Sequence, residues 1–232
     1  MKPTTYQRLS ARRRAGQGGF TLVEIMIATA IMLVAMFMAL SFFSETTESS
    51  FVSSQKNMIN GDIRKITQEM TEFAREANLA MLYASFDTAD CDAASDRLGE
   101  SNSGDFMCLV FQGDAEINSD GKIENRRPIE RLIGYYRSPS DTTDPNSEGP
   151  VRKFDVAIPS ADRFDDLEVL IQNHAGGATA HEEVIELSEG LADGRLFYNF
   201  WNKSIMINGK IVHGNAAKRV TNTYNFTIST RG

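Results

Sequence analysis

The strongest constraint on this chain is an apolar run from Ile25 to Phe43, interrupted only by Thr29 and Ser41. It is about as long as a helix needs to be to cross the hydrocarbon core of a bilayer. Ala, Leu, Met and Ile dominate it, and neither Pro nor Gly breaks it, so it reads as helix throughout. The flanks differ. Lys2, Arg8, Arg12, Arg13 and Arg14 precede the run, whereas Ser44-Glu45-Thr46-Thr47-Glu48 follows it with no Lys or Arg before Lys56. That asymmetry predicts a single-pass topology, with residues 1–19 in the cytoplasm and the bulk of the chain outside.

The rest of the chain is acidic. The formal net charge is −7 over 232 residues, and removal of the five leader cations leaves −12. Such a surface is soluble and self-repelling, and matches the phosphate backbone poorly, so no nucleic-acid partner is expected. The length suits one medium domain beside a membrane segment.

Beyond the apolar run, Ile59, Ile63, Ile66, Met70, Phe73, Ala77 and Ala80 fall at alternating steps of four and three. No Pro occurs between Phe20 and the 80s, so the helix is expected to continue to about Tyr83, with Gly61 a mild weakness. Its stripe is either a core face docked on the chain's own sheet or a seam for neighbouring subunits. Residues 87–105 are rich in Asp, Ala, Ser and Gly and read as loop. Strand-like runs follow at Phe106–Gln112, Ile129–Arg137, Val151–Ile158, Leu196–Trp201, Ile205–Val212 and Asn222–Ser229. Turn signals stand at Ser119-Asp120-Gly121, Asp144-Pro145-Asn146, Ala192-Asp193-Gly194 and Asn208-Gly209. A short helix is predicted within Asp162–His174. The layout is α+β: a long N-terminal helix packed on an antiparallel sheet.

Gly19-Phe20-Thr21-Leu22-Val23-Glu24, after a short basic leader and running into the apolar helix, resembles the prepilin cleavage and methylation signature. Type IV pilins and the pseudopilins of type II secretion share it. The resemblance covers the first 25–30 residues and implies cleavage between Gly19 and Phe20, then methylation of the new Phe20 amine. It implies three segments: a removed leader at 1–19, a helix at 20–84 whose membrane part is about 20–43, and a β-rich extracytoplasmic domain at 85–232. Partners implied are a prepilin peptidase, other pilin or pseudopilin subunits, an inner-membrane assembly platform and membrane lipid. The expected location is the inner membrane, with association to a filament.

The physics of the motif points the same way. A small, flexible residue before the scissile bond gives a protease access to the backbone. Glu24 lies about one turn into the apolar segment, where an acid is costly unless paired or able to snorkel. The freed Phe20 amine of a neighbouring subunit would supply that pairing and reward assembly. The plainer alternative is an interfacial acid favoured by the helix dipole. A secretory signal would be cut beyond the apolar run, and Ala39-Leu40-Ser41 is a poor site placed inside it.

A mature chain of 213 residues is long for a major subunit. Asp62-Ile63-Arg64 resembles a stretch found in J-type minor pseudopilins and W-type minor pilins. Leu132–Arg137 followed by Val151–Phe154, and the closing Tyr224–Gly232, are loosely similar to their strands. Many major pilins carry a Pro near the position of Ser41 and Phe42, which this chain lacks.

Other features are weaker. Cys91 and Cys108 either form a disulfide, favoured outside the cytoplasm and contributing about 3 kcal/mol, or stay free with Cys108 buried in its strand. Residues 116–124 echo a calcium loop, but a hairpin turn explains the same residues. His174, His181 and His213 stand apart and read as surface or turn residues, and Trp201 as core. No nucleophile–base set and no metal or cofactor signature is visible, so a structural, non-enzymatic subunit is expected. A pilus-tip adhesion or DNA-uptake module is the alternative.

Overall fold

The computed structural model describes residues 19–115, 126–141, 143–144, 146–177, 181–201, 204–215 and 218–231. The chain divides into two compact units, Met1–Ser50 and Phe51–Gly232. One helix, α1 (Leu22–Glu76), contributes to both.

In the first unit every described residue is exposed, including Phe20, Ile31, Phe37 and Phe43. Three threonine hydroxyls bond back onto the helix itself. Thr29 Oγ1 donates to Ile25 O at 2.9 Å, and Thr46 and Thr47 donate to Phe42 O and Phe43 O at 2.8 Å. Back-bonding of this kind satisfies these three hydroxyls without water, as an apolar surrounding requires.

In the second unit α1 becomes one-sided. Ile59, Ile66, Met70 and Ala74 are buried, and Ile63 and Phe73 pack half-buried at the stripe's edges. The helix ends at Glu76, earlier than the sequence pattern predicts. Leu79–Tyr83 is instead a strand, β1, whose five residues pair with β3 (Phe106–Gln112). Leu, Ala and Met favour helix locally, but pairing against a buried strand overrides that preference. The second compact unit spans Phe51–Gly232 and so takes in half of α1 and β1.

Among the described residues the remaining strands are β2 (Ser103–Gly104), β4 (Ile129–Arg137), β5 (Gly149–Ala157), β6 (Glu182–Gly190), β7 (Phe197–Trp201), β8 (Ser204–Asn215) and β9 (Lys218–Ser229). Their order is β1-β3-β4-β5-β6-β8-β7-β2, with β9 on β8, and every pairing is antiparallel. This is the α+β arrangement expected. β3 is buried on both faces. Met107 and Leu109 join α1 in one apolar cluster, and Phe106, Cys108 and Val110 join α2 (Leu167–His174) in a second.

Two charged groups fix this unit from inside. Asp105 and Arg137, both fully buried in their side chains, form a bidentate pair at 3.0 and 2.9 Å. Arg195 adds a third contact to Asp105 at 3.0 Å, and Leu196 N donates to it at 2.9 Å. On the other face Glu168 of α2 accepts from Tyr83 Oη at 2.7 Å and from Arg97 Nε at 2.6 Å. Burial pushes the Glu168 carboxyl up, but the bonds from Arg97 and Tyr83 outweigh it and hold it below its usual range.

Several expectations need correction. Asn208-Gly209 is not a turn: β8 runs straight through it, and a Cβ on Gly209 would come within 2.5 Å of the Tyr224 hydroxyl. Trp201 is 61 % exposed rather than core. His181, half-buried in a bend, sits among Phe86, Tyr136 and Phe154, with Nδ1 2.7 Å from the Tyr136 hydroxyl. The calcium-like segment 116–124 lies outside the described residues. Ala192-Asp193-Gly194 does turn, through positive φ at Asp193 and Gly194.

Candidate functional site

The candidate site is the start of α1. Gly19 is open, for a Cβ built there would meet nothing within 4 Å, so packing does not demand glycine at this position. Phe20 beside it is 83 % exposed. The helix then begins with a reciprocal cap. Thr21 N and Thr21 Oγ1 both donate to Glu24 Oε2, at 2.9 and 3.0 Å, and Glu24 N donates back to Thr21 Oγ1 at 3.3 Å. Ile25 N closes the first turn on Thr21 O at 3.2 Å. Thr-x-x-Glu is the capping-box spacing, in which two orphan donors of a helix start are satisfied by side chains.

The cap changes what Glu24 is. Its carboxylate sits at the positive end of the helix dipole with two donors already placed, which reduces the cost of carrying an acid into an apolar layer. Both donors use Oε2, and Oε1 has no partner among the described residues. A carboxylate in this state accepts one more charged donor without giving up the ones it has. The Thr-x-x-Glu spacing is legible in the sequence, and the cap agrees with an acid at the helix start.

The two cysteines lie far from this end, in the second apolar cluster. Both are buried free thiols, Cys91 just after a short 3-10 turn and Cys108 in the middle of β3. Cys91 Sγ donates to Asp87 O at 3.1 Å. Burial, with help from Asp90 and Asp87, pushes the Cys91 thiol up to about 11, and burial pushes Cys108 higher still. As thiols both are therefore inert at neutral pH. Among the described residues no group of three or more His, Cys, Asp or Glu side chains is placed to hold a metal.

α1 is long and apolar enough to cross a membrane, and none of its most apolar stretch is buried. This is compatible with a single-pass anchor.

Comparison with known proteins adds one finding. No curated protein and no solved structure matches the chain. Residues 14–40 match the family model of the prokaryotic N-terminal methylation motif. The matched segment contains Gly19, Phe20, the Thr21–Glu24 cap and most of the apolar run, and it supports a place in the prepilin-type family of pilins and pseudopilins.

Proposed function

We propose that this chain is a minor prepilin-type subunit, of the J-type pseudopilin or W-type pilin kind, which is cleaved between Gly19 and Phe20, methylated on the Phe20 amine and assembled into a filament. The carrying observation is the match over residues 14–40, with Glu24 capped and one carboxylate oxygen left open. In this reading the first half of α1 anchors the subunit in the inner membrane, and unit Phe51–Gly232 lies outside the cytoplasm. A prepilin peptidase reads the open Gly19 backbone. Thr21 holds Glu24 while the subunit is alone, and on assembly a neighbour's Phe20 amine adds to the free oxygen. The chain is then a structural component whose partners are other subunits, the assembly platform and lipid.

Glu24→Gln tests the assembly role. It keeps the shape and removes the charge that attracts the amine. Cross-linking in membranes is expected to show processed subunit with fewer contacts to its kin. Normal contacts reduce Glu24 to a helix cap, and failed cleavage makes it a peptidase determinant.

The shared apolar cluster of Cys91 and Cys108 supports a disulfide formed before β3 is covered. The two thiols would lose two electrons and two protons to a disulfide-bearing oxidant in the exported compartment. An exported chain two hydrogens lighter under non-reducing conditions is the expected result. Two thiols that alkylate on denaturation alone contradict it.

A further inference from the structure

The unit Phe51–Gly232 carries a cavity of about 750 Å³ that none of the features above uses. Four separate segments wall it: the segment after β1, the end of β4, the C-terminal turn of α2 with the glycines that follow, and Arg195 between β6 and β7. The volume lies in the range of small-molecule sites, roughly 300–1,000 Å³.

Its chemistry narrows the occupant. Part of the wall is aromatic: the half-buried Phe86, held in place by stacking on the buried Tyr136 at 4.3 Å between ring centroids. Around it stand Asp87, Thr88, Ser138 and Asn173, whose side chains make no hydrogen bond or ion pair among the described residues. They comprise a carboxylate acceptor, two hydroxyls and an amide, and so both donate and accept. The formal charges of the lining cancel, Asp87 and Asp90 against Arg137 and Arg195. Arg137 and Arg195 are moreover held by Asp105, at 2.9 and 3.0 Å. An anion would face Asp87 while the guanidiniums stay committed to Asp105. A cation would face Arg195. A wholly apolar ligand would strip water from four polar side chains and pair none of them.

A neutral molecule with apolar C–H faces and many hydroxyls meets every one of these conditions, and we propose that the cavity binds a neutral saccharide. Sugar ring C–H groups pack on Phe86, and hydroxyls donate to Asp87 and exchange hydrogen bonds with Thr88, Ser138 and Asn173. The inference does not depend on the prepilin reading.

The test uses the full chain in lipid nanodiscs prepared without sugar detergent. An array of neutral and anionic glycans is screened, and hits are followed by saturation-transfer NMR. At least one neutral glycan is expected to bind, with saturation reaching its ring C–H protons. Asp87 and Asn173 are exposed, so Asp87→Ala and Asn173→Ala should melt like the parent while binding roughly tenfold more weakly. Binding by anionic glycans alone, by none, or by neutral glycans with both variants unchanged overturns the proposal. So does a lysine decapeptide that binds in place of any glycan and is lost in Asp87→Ala; the cavity would then dock a basic side chain.

Discussion

The two halves of α1 share one uninterrupted backbone and have opposite surroundings. From Leu22 to Ser50 every side chain is exposed, apolar ones included. From Phe51 to Glu76 the helix buries one stripe and leaves the rest to water. Continuity comes from the backbone, since Pro is absent and Gly61 is the one glycine in α1. The surroundings come from pattern. An all-round apolar surface has no preferred face and calls for an apolar medium or other helices, whereas a stripe needs only one sheet.

The largest expected effect separates the halves with one kind of substitution. Ile66→Asp puts an unpaired charge into the core and is expected to cost about 5 kcal/mol, enough to unfold the unit in a urea titration. Ile31→Asp should leave that titration unchanged and weaken membrane retention, by about 3 kcal/mol. Equal unfolding effects would break the comparison.

Next comes the buried pair. Asp105→Asn leaves Arg137 without its counter-charge, and a loss of about 3–5 kcal/mol is expected by the same titration. Asp105 belongs to the unit Phe51–Gly232, so membrane insertion should be normal.

The acid response is smaller and has a definite sign. The Glu168 carboxyl is held below its ordinary 4.5 in the folded unit. Its contribution is present above the unfolded value and is lost as pH falls through the folded one. The stability difference between parent and Glu168→Gln is therefore expected to be full near neutrality and to shrink below about pH 4.5. A gap independent of pH would contradict the pairing with Arg97 and Tyr83.

The smallest effect sits at the other end. Thr21→Val removes the cap and should cost about 1 kcal/mol in the first turn, seen as faster amide exchange at Leu22–Glu24 with no change in the melting of unit Phe51–Gly232.

What the sequence makes legible follows the same division. β3 and β4 are readable to the residue because their apolar runs are bounded by loop and turn signals. β6 is not, because Glu182, Glu183, Glu186 and Glu189 hide its alternation. Its acids are answered only in three dimensions, Glu183 by Arg152 and Glu189 by Lys210. β1 is hidden by helix-forming residues, and β2 by its two-residue length. Gly209 misleads because the crowding that requires glycine comes from Tyr224 on another strand. At the helix start Gly19, Phe20 and Glu24 are visible as a motif, and Thr21 as the partner of Glu24 is visible as spacing. The saccharide cavity has no sequence signature, for its wall is assembled from segments around residues 86, 138, 173 and 195.

The central claim is that the start of α1 is a processing and assembly site. The most direct measurement is the intact mass and N-terminal fragment series of the membrane-extracted chain, expressed beside a prepilin peptidase. A chain beginning at Phe20 and carrying one methyl group on its amine is the predicted result. A chain beginning at Met1, or beyond Phe43, would contradict it.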